Sequence, residues 1–358
     1  MQLAFYAPMK SPDHPVPSGD RSIARSLVAA LGHMGAKVTV PSRLRCRDGK
    51  GDTKVQAALQ LAAQGEVDRL IPLGQRAGWQ AWITYHNYYK APDLIGPTVS
   101  RALGIPYLQV ESTRARKRLN GPWAEFARIA EAATDAADLV FYFSTRDAIG
   151  LQENARPAQQ LIHLRPFLPR SDIPSNAVGD GPMLSVGMMR PGDKLASFQI
   201  IADTLSLLAD PEWQLDIAGD GPARAEVENL MSPFGSRIRF LGQLETQTLQ
   251  AAYRNASLMF WPGVNEALGM VYLEAQAAGL PVVAQDRPGM REVLVPAPYP
   301  APDQGPAGLA AVIDDLLAHP STRRELGQTA QRHVTLNHLM PTAAETLCSG
   351  LAQTGVTL

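Results

Sequence analysis

Cysteine is nearly absent: Cys46 and Cys348 are the only two in 358 residues, so neither a disulfide framework nor Cys-rich zinc chemistry can organise this chain. Long hydrophobic runs are missing as well. No stretch of about 18 apolar residues occurs, and no membrane-crossing helix is expected. Glycine and proline, at 29 each, are too sparse for a collagen-like chain. An excess of one charge sign is also lacking, with 33 Lys+Arg against 34 Asp+Glu. That balance, together with 45% hydrophobic residues, excludes a disordered chain. No nucleic-acid recognition motif accompanies the basic residues, so no nucleic-acid partner is expected. The first residues, Met1–Pro8, show neither a basic leader nor a signal-length apolar run, and a cytoplasmic protein is the expectation.

The balanced total conceals an asymmetry. Residues 1–175 carry 22 Lys+Arg and 15 Asp+Glu, a balance of +7; residues 176–358 carry 11 and 19, a balance of −8. Two halves with different partners would produce such a split, although two unrelated surfaces would too. Short apolar runs alternate with longer amphipathic stretches, the pattern of βα units and parallel sheets. In the first half, strands are expected near Gln2–Tyr6, Lys37–Pro41, Trp82–Tyr85, Pro106–Val110, Leu139–Phe143 and Leu161–Leu164, with helices near Ser22–Met34, Pro92–Leu103 and Pro122–Asp135. The Pro- and Gly-rich segment Pro166–Pro182 reads as a linker. After it, strands are expected near Met183–Met188, Gln214–Ala218, Ile238–Leu241, Leu258–Trp261 and Pro281–Ala284. Helical patterns lie between them near Leu195–Leu208, Ala223–Met231, Thr246–Arg254 and Gly269–Ala278. Two doubly wound α/β domains with a ligand cleft between them follow: residues 1–172, and residues 173–341 with a C-terminal helix at about 342–358 that returns to the first.

The densest chemistry lies in Trp261-Pro-Gly-Val-Asn-Glu-Ala-Leu-Gly-Met-Val-Tyr-Leu-Glu-Ala-Gln-Ala-Ala-Gly-Leu-Pro-Val-Val-Ala284. A strand ends at Trp261, a loop carries Glu266, and Gly269 opens a helix. Free N–H groups of Gly269, Met270 and Val271 would form an anion site at that helix start. Glu266 would accept hydrogen bonds from ligand hydroxyls, while Glu274 sits one to two turns further in.

This string resembles the signature of retaining glycosyltransferases of the GT-B fold, family 4, which reads G/N-E-x-x-G-x-x-x-x-E-A-x-A-x-G-x-P-V-V-A. The similarity continues through Ser185-Val186-Gly187, Ile217-Ala218-Gly219-Asp220-Gly221-Pro222 and Ile238-Arg239-Phe240-Leu241-Gly242. It extends more loosely to Pro17-Ser18-Gly19-Asp20-Arg21 and Gly104-Ile105-Pro106. The resemblance implies two Rossmann-like domains facing each other, and a nucleotide-diphosphate sugar, such as a UDP-sugar, as donor. Glu266 would bind donor-sugar hydroxyls and Glu274 the ribose. Arg190 and Lys194 would neutralise the diphosphate, Gly19 would admit the phosphates, and no metal or cofactor would be needed. The family places its arginine directly after the glycine; Met188 stands there in this chain, and Arg190 is read as the displaced substitute or as a solvated loop residue.

A second departure concerns the first domain. Many members of the family carry a histidine where this chain has Glu111, after Ile105-Pro106-Tyr107-Leu108-Gln109-Val110. Glu111 could take the acceptor proton or support positive charge at the anomeric carbon; His86, at another strand end, could supply the polar contact instead. The basic run Arg114-Ala-Arg-Lys-Arg118 and the aromatics Trp79, Trp82, Tyr85, Tyr88 and Tyr89 suggest a surface suited to a lipid or glycan acceptor. Contact with an anionic membrane on its cytoplasmic face would then be peripheral. A nucleotide-sugar epimerase and a non-catalytic sugar-nucleotide-binding protein remain alternatives to a transferase.

Overall fold

The computed structural model describes residues 1–16, 18–173, 179–266 and 268–356. The chain divides into two compact units, residues 1–165 with 340–358, and residues 166–339. The first unit runs β1 (Gln2–Tyr6), α1 (Gly19–His33), β2 (Lys37–Thr39), α2 (Thr53–Ala77), β3 (Ala81–Asn87), α3 (Gly96–Leu103), β4 (Tyr107–Ser112), α4 (Ala124–Ala136), β5 (Leu139–Tyr142), α5 (Thr145–Gln152) and β6 (Gln160–His163). The second runs β7 (Met183–Val186), α6 (Asp193–Leu205), β8 (Leu215–Ala218), α7 (Arg224–Met231), β9 (Ile238–Gly242), α8 (Thr246–Asn255), β10 (Met259–Phe260), α9 (Met270–Ala277), β11 (Val282–Val283), α10 (Gly305–Ala318) and α11 (Pro320–Asn337). The chain ends in α12 (Met340–Gln353), which packs beside α1 in the first unit.

Both sheets are parallel, in the orders β2-β1-β3-β4-β5-β6 and β11-β10-β7-β8-β9. Helices on both faces explain why strands such as β1 and β7 are buried along nearly their whole length rather than at alternate residues. Each order reverses once at the first strand: between β1 and β3 in the first sheet, and between β7 and β10 in the second. At such a reversal the loops leaving two neighbouring strands diverge to opposite faces and open a crevice at their carboxyl ends. Those loops are where functional side chains should gather.

The structure corrects several expectations. The segment from Pro166 is no free linker: Leu168 is buried in the second unit's core, and its N–H donates to the His338 carbonyl at 2.8 Å. Residues 174–178 of that segment, like Pro17 of the first loop and Ala267 of the Glu266–Glu274 string, lie outside the described residues. Helix α1 begins at Gly19 rather than Ser22, because the Ser18 hydroxyl caps it by accepting from the Arg21 N–H at 3.3 Å. Trp79, Trp82 and Tyr85 are buried, so they supply no surface; Trp82 and Tyr85 belong to a strand covered by helices on both faces. Arg114 is not part of a solvated loop either. Its guanidinium is buried and pairs with Glu131 at 2.8 Å and Asp135 at 2.7 Å, tying the loop after β4 to α4.

Candidate functional site

In the second unit the chain reversal brings together the loops after β7 and β10. The first is stitched into place by backbone bonds: Gly187 N–H to the Ala218 carbonyl (3.0 Å), Met189 N–H to Asp220 (3.0 Å) and Ala223 N–H to Met189 (2.9 Å). Gly219 makes this approach possible. Its φ is +144°, and a Cβ there would overlap the Gly187 carbonyl oxygen. Met189 is buried, Met188 is half-exposed, and Arg190 is exposed, its guanidinium forming no hydrogen bond or ion pair among the described residues.

Lys194, the second residue of α6, reaches the other loop. Its ammonium lies 2.5 Å from Glu266 Oε2 and 5.2 Å from the centroid of the Trp261 ring. The Trp261 indole N–H donates to the same carboxylate oxygen at 3.2 Å. Asn265 holds the loop on α6 through its amide, which donates to Asp193 at 2.9 Å, and does so with a φ of +48°. Gly269, in the left-handed region at φ +57°, precedes α9, and no side chain caps that helix. A Cβ on Gly269 would meet the Tyr272 ring at 2.6 Å, so only glycine lets the loop pass so close to the helix. The N–H groups of Met270 and Val271 stand at the opening of α9, where the helix dipole favours an anion.

Glu274 is a separate feature. Its carboxylate accepts from the Tyr253 hydroxyl at 3.0 Å between α8 and α9, and it lines a cavity of about 190 Å³ with Arg170, Leu249 and Ala278. Burial pushes its pKa up, against the Tyr253 hydrogen bond and the Arg170 charge. The structure therefore joins Lys194 and Glu266 in one cluster and leaves Glu274 in a neighbouring cavity of the same unit.

In the first unit the reversal between β1 and β3 holds a different cluster. His86 Nδ1 lies 2.9 Å from Asp20 Oδ1, in the first turn of α1, and 4.0 Å from Glu111 Oε2 at the end of β4. Both His86 (φ +65°) and Glu111 (φ +58°) have left-handed backbones. Together with Asn265 they are all the non-glycine residues of positive φ among the described residues, and every one falls in a candidate site. Such strain costs on the order of 1–3 kcal/mol per residue and survives only where its surroundings over-determine it. Gly19 lies one residue before Asp20, and a Cβ there would face open space.

Electrostatics in this cluster are divided. Burial raises the Glu111 pKa, while the hydrogen bond from His86 lowers that of Asp20. Burial pulls His86 down, but the charge of Glu111 and the Asp20 bond outweigh it and leave the imidazole above its ordinary 6.5. The signs set a window. The raised His86 stabilises the fold below 6.5 and loses that contribution as pH rises through its folded value; the lowered Asp20 stabilises above 3.8 and loses it as pH falls through its own. Asp20→Asn should consequently lower the His86 pKa in an NMR titration of its ring protons. A titration that does not move would remove Asp20 as the partner. In the sequence Asp20 stood only as one member of the Pro17–Arg21 string; its hydrogen bond to His86, 66 positions away, singles it out.

Residues 193–333 match the family model of glycosyl transferases group 1. Over 136 residues the chain is 32% identical to the GDP-mannose-dependent monoacylated alpha-(1-6)-phosphatidylinositol monomannoside mannosyltransferase of Corynebacterium glutamicum, covering 36% of each. The chain thus spans about a third of that relative's length. It is 26% identical over 298 residues to the D-inositol 3-phosphate glycosyltransferase of an Arthrobacter species, covering 73% of this chain and 68% of the relative. In structure it is similar to sucrose-phosphate synthase of Thermosynechococcus elongatus, with a TM-score of 0.70 at 19% identity over 98% of both chains. The fold is the GT-B fold that the sequence led one to expect.

Proposed function

We propose that this protein transfers a sugar from a nucleotide-diphosphate donor, a UDP-sugar, to an acceptor hydroxyl. The observation that carries the reading is the Lys194–Glu266 pair set beside the uncapped, glycine-led start of α9, inside the stretch that matches the group 1 model. Cleaving an anomeric C–O bond puts negative charge on the departing diphosphate. A fixed ammonium and aligned amide dipoles stabilise that charge without having to reorganise during the reaction. Lys194 and the N–H groups of Met270 and Val271 fill this role, with Arg190 free to swing onto the outer phosphate. Glu266, anchored through one oxygen by Lys194 and Trp261, presents its remaining acceptor capacity to sugar hydroxyls. Glu274 in its cavity receives the ribose, exchanging the Tyr253 hydrogen bond for ribose hydroxyls. With these cations and dipoles in place, the reaction proceeds without a metal.

The acceptor hydroxyl belongs at the first unit's cluster. Glu111 and His86 supply a carboxyl and an imidazole whose environments push them to titrate away from their ordinary values, the condition for proton transfer near neutral pH. Retention of anomeric configuration follows from the family resemblance, with the leaving phosphate helping to remove the acceptor proton on the same face. We extend the acceptor to a glycerolipid met at the surface of an anionic membrane. No helix among the described residues is long and apolar enough to cross a membrane, so this contact would be peripheral.

A thermal-shift panel of nucleotides and nucleotide sugars tests the donor. The matching nucleotide at about 100 times its Kd should add about 2.7 kcal/mol, and raise Tm by about 5–10 °C for a unit of this size. Transfer measured with that donor should persist in EDTA. A flat response across the panel would sink the transferase reading, and loss in EDTA restored by magnesium would sink its metal independence.

A further inference from the structure

Beyond the His86–Glu111 cluster, the loops after β2, β3 and β4 meet in a second constellation. Residues 88–91 form a tight turn, closed by the Ala91 N–H donating to the Tyr88 carbonyl at 2.9 Å. The turn is tied to its neighbours: the Asp48 N–H donates to the Lys90 carbonyl at 2.8 Å, and the Trp123 indole N–H to the Asp48 carbonyl at 3.2 Å. At its tip Lys90 lies 5.6 Å from the Tyr89 ring centroid and 5.4 Å from that of Trp123. Arg118 stands 5.1 and 5.6 Å from the same two rings. Two cations thus share one aromatic pair.

Lys90 and Arg118 form no ion pair among the described residues, and Arg118 Nε is buried without a partner. The acid of the adjoining loop is already occupied: the Asp48 carboxylate accepts from the N–H groups of Lys50, Gly51 and Asp52 and from the Gln56 amide. Held together in this way, like charges repel, and an anion between or above them relieves the repulsion. A guanidinium beside an ammonium is the donor set that phosphate oxygens fit. Aromatic contacts link the constellation to the proposed acceptor site: His86 to Tyr88 at 4.7 Å between centroids, Tyr88 to Tyr89 at 5.6 Å, and Tyr89 to Trp123 at 5.8 Å.

We propose that Lys90 and Arg118 bind a phosphate group carried by the acceptor, whose hydroxyl lies at His86 and Glu111. This rests on the acceptor assignment above and adds the chemical class of the substrate. Phosphate seated on Lys90 and Arg118, with the intervening sugar or polyol against Tyr88 and Tyr89, selects phosphorylated acceptors over neutral ones.

Calorimetric titration with glycerol 3-phosphate, and with glycerol as the neutral control, tests the proposal while UDP saturates the donor site. Saturable binding of the phosphomonoester alone is expected. It should weaken at least tenfold in Lys90→Gln and in Arg118→Gln, and persist in Lys117→Gln, because the cations over the two rings are Lys90 and Arg118. Equal binding by the three variants, or none by the wild type, overturns the phosphate site. Failure of UDP to bind would instead strike the donor reading, leaving the comparison of variants intact. Sedimentation with phosphatidylglycerol vesicles separates the sources of the phosphate. Vesicle binding that falls with salt and in the Lys90 and Arg118 variants assigns it to a lipid headgroup; soluble binding alone assigns it to a free phosphorylated acceptor.

Discussion

Lys194→Ala is expected to lower kcat for sugar transfer by about 100- to 1000-fold, equivalent to about 2.7–4 kcal/mol of transition-state stabilisation. Two effects add. The ammonium proposed to meet the developing diphosphate charge disappears, and Glu266 loses the partner 2.5 Å away that fixes its carboxylate. The Trp261 indole at 3.2 Å remains as the other contact, too weak to hold the same orientation. KM for the donor should rise far less than kcat falls, since the charge on the leaving group grows chiefly in the transition state. Glu266→Gln, which keeps the shape and a hydrogen-bonding oxygen, should lose less. Steady-state kinetics with a matched donor provide the measurement, and wild-type kcat in Lys194→Ala would remove this residue from the chemistry.

Gly219→Val is expected to cost about 4 kcal/mol of stability and to lower the Tm of the second unit by about 10 °C. The glycine occupies a φ of +144°, closed to a β-branched residue, and any Cβ there would overlap the Gly187 carbonyl. Relief requires the loop after β7 to move away, which breaks the Gly187 and Met189 backbone bonds and carries Arg190 and Lys194 with it. Thermal unfolding should show the loss directly. Nucleotide affinity of the folded fraction should fall in parallel, because the displaced loop bears the cations. A variant with unchanged Tm would show that the loop adapts at little cost.

How far the sequence could be read differs by element. Strands β1 and β7 were legible because a buried parallel strand must be a short apolar run. Helix α2, the longest in the chain at 25 residues, was not. It is rich in alanine and polar residues, contains Pro72, and buries only Gln56, Ala63, Val67, Leu70 and Gly74. Propensity and its ends make it a helix: the Asp52 carboxylate caps the start, and Gly78 in the left-handed region closes the finish. A weak apolar stripe hides such a helix from any reading based on periodicity.

The same division holds at the candidate sites. Glu266, Gly269 and Glu274 could be picked from the chain because a strand, a loop and a glycine-led helix place them by local rules. Local rules could not say that Lys194 would reach Glu266 across 72 positions, that Glu274 would turn toward Tyr253, or that Arg114 would be consumed by Glu131 and Asp135. Nor could they reveal the left-handed backbones of His86, Glu111 and Asn265, since nothing in those residue types demands them. By itself the sequence determined the parallel α/β class, the absence of disulfide support and the spacing of the second unit's loop residues. These are properties of composition and of periods shorter than one element. The strand orders, and with them the partners of every charge at the two reversals, were decided only by tertiary structure, because they depend on which distant strands lie side by side.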